Sequence, residues 1–141
     1  MTESASAHFS SEAGGVPTQP GRFVTVDDIE AVEMVPGLQF RPVIGERALA
    51  NFASFAPHSE APMHVHEEEQ ITIVLDGELE FTIDGETRTL HRGDVAVMPS
   101  WVPHGAQTRD SACTAVDVFT PPRTTLVEHA RKQVEAAQEA G

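Results

Sequence analysis

One stretch of sequence decides the fold, and it reads Pro62-Met63-His64-Val65-His66-Glu67-Glu68-Glu69-Gln70-Ile71-Thr72-Ile73-Val74-Leu75-Asp76-Gly77. His64 and His66 stand at i and i+2, a spacing that in a β-strand points both side chains to the same face. The β-branched run that follows ends at Asp76-Gly77, a dipeptide typical of a turn. Imidazoles that converge from a rigid strand are suitable ligands for a divalent metal ion.

A second stretch, from Gly93 to His104, contributes a third histidine. Taken alone, a His-x-His pair is most often two surface histidines on an acidic loop. Two stretches that are bounded by glycine and proline, and that each contribute imidazoles, are a more specific signal of a metal site. Together they predict a metal site that contains His64, His66 and His104.

Turn residues recur about every 8–12 residues along the middle of the chain, which is typical of an antiparallel β-sandwich or barrel. Within the strand that follows the histidines, we expect Gln70, Thr72 and Val74 to share one face. Asp84-Gly85 is typical of a two-residue hairpin turn. The predicted strands are residues 38–43, 48–55, 70–75, 78–83, 86–90, 94–98 and 114–119.

We divide the chain into three parts. Residues 1–21 are rich in Ser, Ala, Gly and Pro without periodicity, and we expect a disordered N-terminal arm. Residues 22–123 form the predicted barrel. Residues 124–141 are predicted to form a surface helix, because Thr125 and Glu128 resemble a capping box. A thin apolar stripe at helical spacing follows it, made of Val127, Ala130, Val134 and Ala137.

Composition limits the class of protein. A chain of 141 residues with 40% hydrophobic residues fits one domain with a single core. Its net charge of −13 argues against nucleic acid or an anionic membrane surface as partner. No segment approaches the roughly 20 apolar residues of a membrane span. The one cysteine, Cys113, cannot form an intrachain disulfide, so we expect a buried structural thiol and a cytoplasmic setting.

These motifs resemble the cupin superfamily over residues 38–120. The first cupin motif is usually Gly-x5-His-x-His-x3/4-Glu-x6-Gly, and His64, His66 and Gly77 match it. The second is Gly-x5-Pro-x-Gly-x2-His-x3-Asn, which Gly93, Pro99 and His104 match in the same way. The resemblance implies an all-β fold, a jelly-roll β-barrel with the metal inside and a C-terminal helix on the surface.

The sequence departs from the family pattern at the fourth ligand position, where Gln70 stands in place of Glu. A Gln oxygen can bind a metal but carries no charge, so the ion keeps its double positive charge and acts as a stronger Lewis acid. Zinc is the expected ion, with nickel, iron or manganese as alternatives. Glu68 or Glu69 could replace Gln70 as ligand, and a metal-free cupin is a further alternative.

A further block, Asp117-Val118-Phe119-Thr120-Pro121-Pro122-Arg123, resembles one group of small cupins. That group includes enzymes that open 4,5-unsaturated uronate rings and cupin-type cyclases of aromatic polyketide biosynthesis. The resemblance implies that Asp117 moves protons and that Arg123 orients the substrate. The expected pocket residues are Met63, Thr72, Met98, Trp101 and Phe119.

The sequence therefore predicts an enzyme that performs nonredox, metal-assisted chemistry on a small molecule with an enolisable carbonyl group. Aromatic polyketide cyclisation is the expected reaction, because the residues around the site are apolar and few are basic. Uronate ring opening is the alternative within this class. An iron-dependent dioxygenase and a non-catalytic binding protein are the alternatives from other classes. The apolar outer face of residues 71–75 further predicts a homodimer.

Overall fold

Two antiparallel sheets pack face to face around an apolar core. The computed structural model describes residues 8–140, and it describes the side chains of residues 8–132. The strands in this part of the chain are β1 (Val32–Val35), β2 (Leu38–Ile44), β3 (Leu49–Phe55), β4 (Glu60–His64), β5 (Glu69–Gly77), β6 (Leu79–Ile83), β7 (Glu86–Leu90), β8 (Val95–Met98), β9 (His104–Gln107) and β10 (Cys113–Thr120).

The larger sheet has six strands in the order β1-β2-β3-β10-β5-β8, and the smaller sheet has four in the order β4-β9-β6-β7. Neighbours in space are mostly distant in sequence, as in a jelly roll. The predicted all-β jelly-roll barrel with a C-terminal helix is confirmed. The seven predicted strands are present, with ends shifted by no more than two residues.

Three strands were not predicted, namely β1, β4 and β9. Proline and glycine weaken the strand pattern in two of them, since β4 contains Pro62 and β9 contains Gly105. These two strands pair with each other, and they hold two of the three predicted histidine ligands. The segments interpreted as loops around the histidines are therefore partly sheet.

The predicted alternation along β5 is confirmed. Gln70, Thr72 and Val74 face the interior and are 6%, 1% and 1% exposed. The alternate residues face outwards, and Leu75 among them is 44% exposed. The strand therefore presents a polar amide and a hydroxyl to the inside of the barrel.

Two turns depend on glycine. Asp84 and Gly85 both have positive φ angles, 46° and 86°, and join β6 to β7 as the hairpin that the sequence predicts. Gly77 has a φ of 82°, and a Cβ atom there would lie 2.1 Å from the carbonyl oxygen of Ala112. The end of β5 therefore admits only glycine.

The C-terminal helix α1 (Thr124–Ala140) begins one residue before Thr125, the residue expected to cap it. Its first turn is anchored by Leu126, which is 2% exposed and packs against Leu49 and Phe119. Among the helix side chains described, those of residues 124–132, Leu126 is the buried one, and it is not a member of the predicted stripe. The first turn of helix α1 therefore packs against the start of β3 and the end of β10.

The predicted stripe is described only in its first half. Val127 packs against the same cluster as Leu126, while the side chains of Val134 and Ala137 lie outside the described residues. No described helix combines the length and the hydropathy needed to cross a bilayer.

The predicted N-terminal arm is described from residue 8, and residues 1–7 lie outside the described part. Residues 8–21 are exposed throughout. The Thr18 hydroxyl donates a hydrogen bond to Glu46, and the Arg22 guanidinium donates one to the carbonyl of Ile44. These contacts lie at the β2–β3 hairpin.

The cysteine is buried, as predicted. Cys113 is 2% exposed in the core, and burial raises the pKa of its thiol to about 11. At neutral pH the thiol is therefore protonated and a poor nucleophile.

Candidate metal centre

Four side chains from both sheets meet inside the barrel. His64 ends β4 and lies opposite His104, the first residue of β9, in the strand register. His66 follows in the loop after β4, and Gln70 reaches in from β5 on the opposite sheet. Because both sheets supply ligands, packing of the barrel itself sets their mutual positions.

The three imidazoles form one compact cluster. Each offers a ring nitrogen, and these nitrogen atoms all lie within 4.8 Å of one another. The amide oxygen of Gln70 lies 3.0 Å from Nε2 of both His66 and His104. His66, Gln70 and His104 are 8%, 6% and 2% exposed, so water has little access to the cluster.

Each imidazole is oriented by a hydrogen bond from its other nitrogen. The Nδ1 atoms lie 2.7–2.9 Å from backbone carbonyl oxygens, which can only accept. Nδ1 therefore carries the proton, and Nε2 of each neutral ring is left with a free lone pair. The acceptors are the carbonyls of Pro62, Glu68 and Val102.

Burial keeps two of the imidazoles, those of His64 and His104, uncharged. It lowers the pKa of His104 to about 4, and it also lowers that of His64, where the nearby Arg123 adds to the effect. Both rings are neutral at pH 7. Neutral imidazoles are the form that binds metal ions.

The chemistry of this donor set fits a metal ion. Free lone pairs on three nitrogens and one amide oxygen converge without a proton between them, an arrangement that is unfavourable unless a cation lies among them. The residues that would hold the ion are His64, His66, Gln70 and His104. A set with three nitrogens and one neutral oxygen suits zinc and other first-row divalent ions.

The two glutamates considered as alternative ligands lie elsewhere. Glu69 is exposed and points away from the barrel, because it alternates with Gln70 along β5. The Glu68 carboxylate lies 3.5 Å from Nδ1 of His66, on the side of the ring away from the cluster. The geometry thus brings Gln70, and neither glutamate, to the converging nitrogens.

Asp117 lies behind Gln70, on β10. Its carboxylate accepts hydrogen bonds from Thr72 Oγ1 at 2.7 Å, from Gln70 Nε2 at 3.3 Å and from Asn51 Nδ2 at 3.3 Å. Burial raises the pKa of Asp117, and the three hydrogen bonds oppose that shift. The carboxylate is therefore held in one orientation at the wall of the cavity.

Arg123 lies where the chain leaves β10. Its guanidinium carbon is 5.8 Å from the centre of the Phe119 ring, and its half-buried side chain lines the same cavity. Burial lowers the pKa of Arg123, while Glu68 and Asp117 oppose the shift. Among the described residues its guanidinium forms no hydrogen bond or salt bridge, so its donors are available to a ligand in the cavity that the side chain lines.

The cavity between the histidines and Arg123 has a volume of about 50 Å³. Thr72 and Phe119, both predicted pocket residues, line it together with Asp117. Most of the remaining wall is apolar and consists of Phe40, Phe55, Ala61, Leu79 and Phe81. The Phe81 ring is parallel to that of His104, with 6.3 Å between the ring centres.

The other predicted pocket residues do not line this cavity. Met98 is buried in the core, beside Gln70 in the β5–β8 register. Met63 is 52% exposed, because it alternates with His64 along β4 and so points outwards. Trp101 is 61% exposed in a loop where its φ is 67°. Its backbone N–H donates a hydrogen bond of 2.9 Å to the carbonyl of His66.

Sequence reasoning missed several residues of the site. The apolar wall could have been found from alternation, since Phe55 and Phe81 fall on inward positions of predicted strands. No sequence pattern pointed to Asn51, because its contact with Asp117 depends on the pairing of β3 with β10. A single asparagine in a strand reveals nothing until that pairing is known.

A comparison with protein families agrees with the fold and the site. Residues 51–119 match the family described as Cupin domain, and this range contains all four candidate ligands. The chain belongs to the cupin superfamily, as its motifs predicted.

Two solved structures are similar to most of the chain. KdgF from Halomonas sp. has a TM-score of 0.72 and 28% identity, over 76% of this chain and 99% of that one. The polyketide cyclase RemF from Streptomyces resistomycificus has a TM-score of 0.66 over 72% of this chain and 80% of that one. At its 22% identity, only the shared fold follows.

Quercetin 2,3-dioxygenase from Bacillus subtilis is 48% identical over 44 residues. These residues are 30% of this chain and 13% of that enzyme, so the match is local. Several of the similar cupins are enzymes, and their reactions differ.

Proposed function

We propose that this protein is a metal-dependent enzyme that performs nonredox chemistry on a small substrate with an enolisable carbonyl group and a carboxylate. The observation that carries the proposal is the convergence of three imidazole nitrogens and the Gln70 oxygen without any carboxylate ligand. An uncharged donor set leaves the full charge on a divalent ion. When bound, such an ion, zinc by preference, polarises a carbonyl oxygen as a Lewis acid.

Asp117 is the proposed proton carrier. Its oxygens accept from Thr72, Gln70 and Asn51, which fixes the carboxylate at the cavity wall. A carboxylate in a poorly hydrated site, with a raised pKa, is a suitable base at neutral pH. It takes a proton from one atom of the substrate and returns it to another, so the overall reaction is an isomerisation.

Arg123 is the proposed anchor for the substrate carboxylate. A guanidinium presents its donors in a planar fork that matches a carboxylate, and that of Arg123 has no hydrogen-bond or salt-bridge partner among the described residues. The apolar wall opposite keeps water away and strengthens this ion pair.

Of the two substrates that the sequence resemblance implies, the geometry favours a 4,5-unsaturated uronate. A sugar acid is small and carries the carboxylate that Arg123 requires. In its ring opening, one proton leaves the anomeric hydroxyl, the bond between carbon 1 and the ring oxygen breaks, and one proton reaches carbon 4. Asp117 can carry this proton, and no oxidant is needed.

Aromatic polyketide cyclisation, the reaction first expected from the sequence, is the second candidate. The observation in its favour is the apolar wall, with Phe40, Phe55 and Phe81 available to pack against an aromatic ring. A cavity of about 50 Å³ would have to open to admit either substrate, and it would have to open further for a polyketide chain than for a sugar acid.

The test begins with metal content and the need for oxygen. Protein purified and measured by elemental mass spectrometry should contain about one zinc or nickel ion per chain. Removal of the ion by a chelator should stop turnover of unsaturated uronates, and zinc should restore it under nitrogen. A strict requirement for iron and oxygen would favour a dioxygenase instead, and tight binding without turnover would favour a binding protein.

Replacing Arg123 by Met should raise KM far more than it lowers kcat. A hydrogen bond to a charged group is worth about 1.5–3 kcal/mol, which corresponds to a rise in KM of about 10- to 100-fold. Arg109→Met is the matched control, because Arg109 pairs with Glu80 at the surface. Steady-state kinetics of both variants make the comparison, and equal KM values would contradict the assigned role of Arg123.

We also propose a homodimer formed through the outer face of the larger sheet. Two rows of side chains in register cross five of its strands. Of their ten members, only Arg41 is charged, in a chain whose net charge is −13. Two such acidic chains avoid mutual repulsion best where their surfaces are uncharged. The rows are Val97, Ile71, Val118, Ala50 and Val43, and Val95, Ile73, Val116, Phe52 and Arg41.

The dimer is tested by Val97→Glu. Val97 is 51% exposed in the single chain, so the substitution should leave the barrel folded while it sets two like charges near the contact. We expect the wild type to be dimeric and Val97→Glu monomeric in size-exclusion chromatography with light scattering. Val24→Glu, at a similarly exposed valine outside the strands, should stay dimeric. A monomeric wild type would refute the proposed interface.

A further inference from the structure

A row of polar side chains crosses the interior of the larger sheet beside the metal centre. Asp117 on β10 lies directly opposite Asn51 on β3 and Thr72 on β5 in the strand register. Gln70 lies two residues from Thr72 along β5 and therefore on the same face. The row links β3, which supplies none of the candidate ligands, to the ligand Gln70.

The two oxygens of the Asp117 carboxylate have different partners. Oδ1 accepts from Thr72 at 2.7 Å and from Gln70 Nε2 at 3.3 Å. Oδ2 accepts from Asn51 Nδ2 at 3.3 Å. Asn51 thus holds the side of the carboxylate that faces away from the ligand.

Asn51 is unusual for a core residue. It is 0% exposed, and among the described residues its Oδ1 atom has no hydrogen-bond partner. An unsatisfied buried amide oxygen destabilises the fold, and an apolar side chain of the same size would avoid that cost. The contact that this side chain does make is the one to Asp117.

The orientation of the Gln70 amide decides whether it can bind a cation. Only Oε1 has a lone pair to donate, and it faces the histidines while Nε2 faces Thr72 and Asp117. The reversed amide would bring Oε1 against the Asp117 carboxylate and the N–H groups against the ion. Asp117 thereby selects the orientation in which Gln70 is a ligand.

We infer that Asn51 is a positioning residue for the metal centre, which acts through Asp117 to keep the oxygen of Gln70 turned towards the histidines. This inference rests on the proposed function, because it requires Gln70 to bind a metal ion. Without the bond from Asn51, the carboxylate can rotate away from Gln70 Nε2, and the amide loses its preferred orientation. Affinity for the ion then falls although every ligand is still present.

The experiment compares zinc binding by Asn51→Leu with that of the wild type. Leucine has nearly the shape of asparagine but no donor, and it also removes the unsatisfied oxygen. Competition with a chromophoric chelator should give about 10-fold weaker zinc affinity, a typical effect of losing an outer hydrogen bond to a ligand. Asn51→Leu removes an unsatisfied oxygen but also leaves Asp117 Oδ2 without its donor, so the melting temperature of the metal-free variant should stay close to that of the wild type.

Thr108→Val is the matched control. Thr108 is 3% exposed and donates to the carbonyl of Ala56, away from the metal centre. Its replacement should lower the melting temperature without changing zinc affinity. Absorption spectra of the Co²⁺ forms give a second readout, because loss of the Gln70 oxygen from the ligand set changes the visible bands.

A double variant shows whether Asn51 acts through Asp117. In an Asp117→Ala background, Asn51→Leu should weaken zinc binding no further. Wild-type zinc affinity and an unchanged Co²⁺ spectrum in Asn51→Leu would overturn the inference and leave the proposed function intact. The same would follow if the losses of zinc affinity caused by the two substitutions multiplied in the double variant. If Asp117→Ala does not fold, the zinc affinities of Asn51→Leu and Thr108→Val still test the inference. A wild type that binds no metal would overturn both.

Discussion

Replacing His104 by alanine should empty the metal centre and abolish activity. His104 is 2% exposed, and its Nε2 atom faces the Gln70 oxygen at 3.0 Å. Zinc sites of about four ligands bind with about 10–16 kcal/mol, so loss of one ligand should weaken binding by about 100- to 1,000-fold. Elemental mass spectrometry after dialysis and turnover with added zinc measure the two effects.

His91→Ala is the control for this experiment. The His91 side chain is 59% exposed and contacts Glu78 and Asp94 outside the barrel. This variant should keep its metal and its activity. If His104→Ala also kept one ion per chain, the ion would be bound elsewhere, and the site described above would not be the functional one.

Replacing Asp117 by asparagine should cost about 100- to 10,000-fold in kcat, the usual contribution of a general base or acid. The variant keeps the shape of the side chain and removes its ability to accept a proton from the substrate. Because Asp117 also contacts Gln70, the assay is run at saturating zinc, so that any loss of metal affinity does not contribute.

The control is Asp76→Asn, an exposed carboxylate at the other end of β5. It should behave as the wild type. A kcat for Asp117→Asn within threefold of the wild type would mean that Asp117 only positions Gln70. The proton would then have to be carried by another group in the cavity.

The strands that alternate cleanly could be predicted from the sequence, and so could the inward position of Gln70. Local alternation decides both, because a strand with one buried face can be placed from its own residues. The same alternation would have predicted an outward side chain for Met63, because Met63 directly precedes the inward-facing His64 in β4. Its apolar character alone suggested a pocket residue.

The features that could not be predicted from the sequence depend on pairing between distant strands. β4 and β9 are short and interrupted by proline or glycine, and they form a sheet because each completes the other. The contact of Asn51 with Asp117 joins residues 66 positions apart. Trp101 turns outwards because of its positive φ, which a sequence pattern does not reveal.

The hydrogen bond from the Trp101 backbone to His66 gives the protein an optical reporter of its own centre. The chain has one tryptophan and no tyrosine, so its near-ultraviolet fluorescence comes from a single indole. Trp101 is 61% exposed, and its backbone N–H lies 2.9 Å from the backbone carbonyl oxygen of His66, a candidate ligand. Paramagnetic ions such as Ni²⁺ should quench its emission on binding, whereas Zn²⁺ should not. Occupancy could then be followed in real time without a label.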